Sequence, residues 1–438
     1  MEEQSLGTVT LSRDPSGAHA VYTPLRLVVL SGPDAPARLV VRRGTVTIGT
    51  HETADLKLTD DTVSRFHCEL AHEQGRLVVR DLGSRNGTTV NGVQVLHAFA
   101  EPGQRLAIGR TVIEISRGEA SEAAKVPLSD AGRFGSLVGT SVPMRAAFSL
   151  LERCAQTDAT VLLEGETGTG KEGAAEGIHA ASSRANQPFI VVDCGAVPPA
   201  LLESELFGHE KGAFTNAVSK REGAFQAAHG GTLFLDEIGE LDADLQPKLL
   251  RALERREVKP VGATHYLPVD VRVIAATHRQ LRAEVNTKAF RSDLYYRLAV
   301  LVVRLPSLRE RPEDMSLLVE ALLEQLGASK RPEAELLRSA ETIARLAQHP
   351  WPGNVRELRN AVERSLALRV LPELEATPQS TSAPVDLKEA RAKASLEFER
   401  QYLEDLLARS GRNVSKAARD AGVDRKYLYR LLWRHGLR

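Results

Sequence analysis

The sequence predicts a multidomain chain: an all-β sandwich first, a parallel α/β domain with a helical lid in the middle, and a small all-α module at the end. Three observations predict this. Short β-branched or alternating runs separated by Gly, Asp and Asn turns fill residues 25–117. Apolar strand-like runs alternate with helical stretches over 136–305. From 306 onward the period is helical only, interrupted once by a Pro-, Ser- and Thr-rich stretch. At 438 residues the chain exceeds what one compact core usually holds.

Apolar and charged fractions of 42% and 26% exclude fibrous, collagen-like and disordered classes. No apolar run approaches the roughly 18 residues of a membrane span, and the opening MEEQSLGTVT lacks the basic and apolar regions of a signal peptide. A cytoplasmic protein without membrane partners is expected. Cys68, Cys154 and Cys194 have no CxxC spacing, which argues against a disulfide framework or a zinc site. Formal net charge is zero, yet the last 30 residues carry nine Lys or Arg against two Asp, which points to a nucleic-acid module there.

Taken in order, the runs Leu25 to Leu30, Leu39 to Val41, Thr45 to Ile48, Leu77 to Val79 and Thr111 to Ile115 are the expected strands of the first domain, a sandwich or barrel over 25–117. Residues 118–135 are small, polar and aperiodic, as a linker would be. The central domain spans 136–371, with TVLLEG, PFIVVDC, GTLFLDE and VRVIAAT as strands and 306–371 as the helical lid. A second linker, 372–386, reads PELEATPQSTSAPVD. The remainder, 387–438, is helical.

TVLLEGETGTGKE runs an apolar strand into Gly165-Glu166-Thr167-Gly168-Thr169-Gly170-Lys171 and then opens a helix with Glu172. This is a phosphate-binding loop in its required context. The glycines let backbone N–H groups close around phosphates, the helix N-terminus favours anions, and Lys171 reaches the terminal phosphates. Glu172 stands where a magnesium-ligating Ser or Thr is usual, so magnesium must rely on other oxygens. GGTLFLDE supplies them: Asp236 and Glu237 leave a strand at its C-terminal end, where open α/β sheets bind ligands. Asp236 is expected to hold Mg2+ and Glu237 to orient and polarise the water that attacks ATP.

With those motifs in view, 136–371 resembles the AAA+ ATPase domain of bacterial enhancer-binding proteins, the activators of sigma-54 RNA polymerase. GETGTGKE, LLESELFGHEKGAFTNA, GGTLFLDEI, FRSDLYYRL, LPSLRERPEDM and WPGNVRELRN carry the resemblance. It implies that Glu172 is the family's own choice, and that Arg291 and Arg297 are fingers reaching a neighbour's nucleotide. It further implies that Arg356 is a lid arginine sensing the γ-phosphate, and that the subunits form a ring, a hexamer. A surface pairing with Asp293 is the alternative for the two fingers. The loop Gly212, Ala213, Phe214, Thr215, Asn216, Ala217 would touch the sigma factor, with Phe214 as its tip; a turn whose Phe folds into the core is the alternative. The family's usual GAFTGA has a glycine where this chain has Asn216. Asp193 and His278 stand where Asn is common, and a carboxylate beside Glu237 would repel it.

The C-terminal GRNVSKAARDAGVDRKYLYRLLWRHGL has Asn413 and Asp424 as N-caps and Gly422 ending its first helix. Val414, Ala417, Ala418 and Ala421 give a small apolar face for a close crossing, which is a helix-turn-helix. Arg425, Lys426, Tyr429 and Arg430 suit phosphate and base-edge contacts with enhancer DNA. This segment is similar to a Fis-type helix-turn-helix. The N-terminal TIGTHETADLKLTDDTVSRFHCELAHEQGRLVVRDLGSRNGTTVNG resembles a forkhead-associated (FHA) domain, a sandwich that binds phosphothreonine peptides. The resemblance implies that Ser64 and Arg65 contact phosphate, that Asn86 holds the peptide backbone, and that Gly49 and His67 shape the loops. Thr50 stands where the family has a phosphate-binding Arg, with His51 or Arg65 available to compensate; a sandwich serving only oligomer contacts is the alternative.

The expected function is ATP-driven, sigma-54-dependent transcription activation, controlled by a phosphothreonine peptide or Ser/Thr kinase partner. The alternative is a DNA-binding regulator or phosphopeptide adaptor whose AAA+ core oligomerises without remodelling sigma-54.

Overall fold

Leu25, Leu27 and Val29 face inward along the strand Leu25–Ser31, and Thr111, Ile113 and Ile115 do so along its antiparallel neighbour Thr111–Arg117. This period of two is what a strand covered on one face requires. The computed structural model describes residues 4–369, apart from 7–8, 15–16, 23, 42–44, 74–75, 120–124 and 214–218, together with Val414. The linker 372–386, the segment 387–438 with Arg425, Lys426, Tyr429 and Arg430, and Phe214, Thr215, Asn216 and Ala217 therefore lie outside the described residues.

The N-terminal domain is a sandwich, as its alternation predicts. One sheet runs Val93–Val95, Thr88–Val90, Arg105–Ile108, Thr111–Arg117, Leu25–Ser31, Arg38–Val41; the other runs His97–Ala100, Arg76–Asp81, Cys68–Glu73, Val46–Gly49, Leu56–Lys57. Leu27, Ile48, Leu70, Val79, Leu106 and Ile113 fill the space between them. A separate four-stranded sheet joins Gln4–Leu6, Val9–Asp14 and Gly17–Tyr22 to Lys125–Pro127. Part of the stretch expected to be a featureless linker is thus a strand, paired with residues a hundred positions earlier.

The central domain is a five-stranded, all-parallel sheet in the order Phe189–Asp193, Thr232–Asp236, Arg272–Thr277, Val161–Glu164, Leu301–Arg304. Its three middle strands are buried along almost their whole length, which explains their unbroken apolar runs. Helices cover both faces. Val142–Ala155 starts with a proline in its first turn and buries Met144, Ala147, Phe148 and Leu151 at three- and four-residue spacing. The lid follows as Met315–Gln325, Pro332–Arg338, Ala340–Gln348 and Asn354–Leu368, packed around Trp351, whose indole N–H donates to the Leu346 carbonyl at 2.7 Å.

Sandwich and α/β domain share a core. Phe66 and Leu82, both turn residues of the sandwich, are 1% exposed and lie in the same apolar cluster as Phe290, Leu294 and Tyr295. Nothing in their local sequence announces this burial, because the covering side chains are more than 200 residues away.

Candidate nucleotide-binding and catalytic site

Two strands and the loops after them build the site. Val161–Glu164 delivers the loop Gly165 to Gly170, and Lys171–Ala180 follows as a helix whose N-cap, Gly170, is left-handed at φ 103°. Gly168, at φ 80°, lies against the lid, where an added Cβ would come within 2.2 Å of the Gly353 carbonyl oxygen. Only glycine fits there. Thr169 Oγ1 donates to the Glu166 carbonyl at 2.8 Å and closes the loop. Thr167 and Glu172 are exposed.

Lys171 is buried, its Nζ donating to the carbonyls of Gly165 at 3.0 Å and Glu166 at 3.3 Å and lying 3.8 Å from Glu237 Oε1. Burial pushes this ammonium below the ordinary lysine range, against the pull of Glu237 and Asp236. Asp236 ends its strand, and its Oδ1 accepts the Glu237 N–H at 2.9 Å. Burial pushes the Asp236 carboxyl above the usual carboxylate range, and the charges of Glu237 and Asp193 push the same way. Glu237 holds a left-handed backbone, φ 49°, uncommon for a residue with a side chain.

Asp193 and His278 resolve differently from expectation. Asp193 Oδ1 accepts the N–H groups of Gly195 at 2.8 Å and Ala196 at 3.0 Å, so it caps its own turn. The contact to Glu237 comes instead from His278: Nδ1 lies 2.6 Å from Glu237 Oε2, and the His278 backbone N–H reaches the same oxygen at 3.2 Å. An ionised carboxylate only accepts, so Nδ1 carries the proton in this bond.

Two lid residues that sequence reasoning passed over clamp the loop. Asn354, fully buried and left-handed at φ 52°, accepts the Leu308 N–H at 2.7 Å and donates to Glu166 Oε2 and to the Thr167 carbonyl, both at 3.1 Å. Arg309 forms a two-pronged pair with Glu166 and holds its carboxyl below the ordinary range. The Val355 N–H adds a bond to the Gly168 carbonyl at 3.0 Å, beside which sits Arg356, exposed. The signal for Asn354 lay inside WPGNVRELRN, where only the arginine was singled out.

Arg291 is the N-cap of the helix Ser292–Leu298, Arg297 lies in its last turn, and both are exposed. Arg291 makes two hydrogen bonds to Asp293, at 3.0 and 2.7 Å, and Arg297 donates to the Leu253 carbonyl at 3.2 Å. Among the described residues, neither bonds to the phosphate-binding loop or to Asp236 or Glu237. Of the loop expected to touch the sigma factor, Gly212 is left-handed and exposed, and the Ala213 N–H bonds to the Glu210 carbonyl at 3.2 Å.

At the sandwich, Thr50 N–H bonds to the Ser64 carbonyl and His51 N–H to the Arg65 carbonyl, both at 3.1 Å, lacing the two loops together. Gly49 permits it: an added Cβ there would lie 2.0 Å from the Arg65 carbonyl oxygen. Ser64 Oγ accepts the Arg85 N–H at 3.0 Å, Asn86 Nδ2 donates to the Thr62 carbonyl at 2.7 Å, and His67 joins Ser64 N–H to the Gly87 carbonyl. Arg65 is exposed. His51 Nδ1 is engaged by the Thr53 N–H and by the Tyr296 hydroxyl of the α/β domain.

Comparison with known proteins agrees with this geometry. Residues 137–304 match the family profile described as "Sigma-54 interaction domain", residues 309–393 match "AAA+ ATPase lid domain", and residues 28–119 match "Inner membrane component of T3SS, cytoplasmic domain". The chain is 44% identical over 309 residues to the transcriptional regulatory protein ZraR of Escherichia coli K12, covering 70% of each chain. It is 48% identical over 289 residues to GlrR of the same organism, covering 65% of this chain and 64% of that protein. Among solved structures, NtrX from Brucella abortus in complex with ATP is similar at a TM-score of 0.52 and 36% identity, covering 70% of each chain.

Proposed function

Because the chain belongs to the family of transcriptional regulatory proteins built on a sigma-54 interaction AAA+ domain, we propose that it is an ATP-driven activator that remodels sigma-54 RNA polymerase at promoters. The observation that carries the reading is the convergence of Lys171, Asp236, Glu237 and His278 over the phosphate-binding loop. Lys171 neutralises the terminal phosphates. Glu237, positioned by His278, accepts the proton of the attacking water. Arg356 faces the same loop from the lid and senses whether the γ-phosphate is present.

Mg2+ fits this donor set. Asp236 and Glu237 bring hard oxygen ligands beside Lys171. Asp236 would supply one ligand and the nucleotide the others. When bound, the ion would neutralise charge on the phosphates.

Arg291 and Arg297 complete a neighbouring subunit's site, so hydrolysis requires a ring, a hexamer. Their exposure and their lack of bonds to their own site support this. Energy reaches sigma-54 through Gly212 to Ala217, with Phe214 as the contact. Arg425, Lys426, Tyr429 and Arg430 hold enhancer DNA, and Ser64, Arg65 and Asn86 bind a phosphothreonine peptide, delivered by a Ser/Thr kinase partner, that controls the motor. No described helix is long and apolar enough to cross a membrane.

Phe214→Ala tests the reading. It should abolish sigma-54-dependent transcription while leaving ATP hydrolysis and DNA binding intact. Unimpaired transcription by that variant would mean that this loop is not the coupling device.

A further inference from the structure

The sandwich loops that carry His51 and Arg65 are already engaged by the α/β domain. Phe66, next to the exposed Arg65, is buried in the α/β core and meets Tyr295 edge-on, with ring centroids 5.9 Å apart. Both of its backbone polar groups are taken by one side chain: Asn286 Oδ1 accepts the Phe66 N–H at 3.2 Å, and Asn286 Nδ2 donates to the Phe66 carbonyl and, at 2.9 Å, to that of Leu82. On the other loop, His51 stacks on Tyr296 with centroids 4.7 Å apart, and Thr53 Oγ1 donates to the Tyr296 oxygen at 2.9 Å. Arg282 links Glu69 of the sandwich, at 3.5 Å, to the Tyr295 hydroxyl, at 2.8 Å.

The docked segment is the one that matters for catalysis. His278, bonded to Glu237, lies at one end; the helix Leu281–Thr287 carries Arg282 and Asn286; the helix Ser292–Leu298 carries both tyrosines between Arg291 and Arg297. The two loops are tied to each other, because Thr50 and His51 are bonded to Ser64 and Arg65 and Gly49 leaves no slack. A ligand that rearranges one loop must therefore disturb Phe66 and His51 in their seats.

We propose that the sandwich is held on the sensor-to-finger segment 278–298 by its own recognition loops, and that a phosphothreonine peptide at Ser64 and Arg65 competes with this docking and frees the segment. The proposal rests on the phosphothreonine reading above. It makes the signal site and the finger-bearing surface two partners of the same pair of loops, so the peptide acts on assembly or hydrolysis without any new contact to the motor.

The test uses the full chain, a random phosphothreonine peptide pool with its unphosphorylated counterpart, and hydrogen exchange of residues 278–298. Asn286→Ala removes three bonds to the sandwich, and Tyr296→Phe removes only the hydroxyl; circular dichroism and ATP binding verify that each variant folds. If the docked form outweighs the free form about ten to one, Asn286→Ala should bind the phosphorylated pool about tenfold tighter than wild type, with Tyr296→Phe between them. The pool should also speed exchange across 278–298 in wild type. Equal binding by wild type and both variants overturns the competition while leaving the phosphothreonine reading intact. Binding of the phosphorylated pool to no form of the chain overturns that reading and the competition with it.

Discussion

His278 holds Glu237: its Nδ1 sits 2.6 Å from Oε2, and its backbone N–H bonds to the same oxygen. A charge-assisted bond of this kind is worth about 1.5–3 kcal/mol. His278→Ala should therefore lower kcat for ATP by at least about tenfold with little change in nucleotide affinity. His278→Asn, which keeps a side-chain N–H, should retain most of the rate. Steady-state hydrolysis beside equilibrium binding of a fluorescent ATP analogue separates the two effects.

Arg291 and Arg297 are exposed and bonded away from their own site. Each Ala variant should lose about 10³-fold or more in hydrolysis rate, as expected for an arginine finger. Glu237→Gln should be inactive for a different reason. Mixing Arg297→Ala with Glu237→Gln subunits should restore part of the activity, because some interfaces then pair an intact Glu237 with an intact Arg297. No recovery in the mixture would place both residues in one subunit's site.

Asn354 bridges the lid and the phosphate-binding loop from a fully buried, left-handed position. Asn354→Ala strands the Leu308 N–H and puts alanine where it costs about 1–2 kcal/mol in backbone strain, on top of about 1–3 kcal/mol for the unpaired group. A lowered Tm and weaker ATP binding are expected together. Asn354→Asp should keep the Leu308 bond but repel Glu166, sparing Tm more than affinity.

Much of this site was legible in the sequence, and the boundary of legibility is physical. The phosphate-binding loop, Asp236 and Glu237 are local: each sits where an apolar strand ends, and the strand's period marks it. The clamp on Glu166 joins residues 143 and 188 positions away, Arg309 and Asn354, and no local period encodes such a pairing. Phe66 resembles Phe214 in sequence, one aromatic in a turn, yet Phe66 is buried against another domain. Lys125–Pro127 reads as linker because its strand partner is Gly17–Tyr22, on the far side of the sandwich sequence.

Asp60, beneath the recognition loops, supplies a pH dependence. Burial pushes its carboxyl upward, but bonds from Thr62, Thr111 and the Arg110 N–H outweigh that and leave it far below the usual range. A depressed folded-state pKa gives stability that is present above the unfolded value, about 4, and is lost as pH falls below it. Asp60→Asn should be less stable than wild type at neutral pH, and the gap should narrow below about pH 4. Chemical denaturation followed across that range measures it.

If ATP hydrolysis by this chain opens sigma-54 promoters, permanganate footprinting of promoter DNA with sigma-54 holoenzyme and this chain should show it. Reactive thymines are expected in the melted region with ATP, and none with a non-hydrolysable analogue or with Glu237→Gln. ATP turnover without melting would contradict it, and would point instead to a DNA-binding regulator whose AAA+ core assembles without remodelling the polymerase.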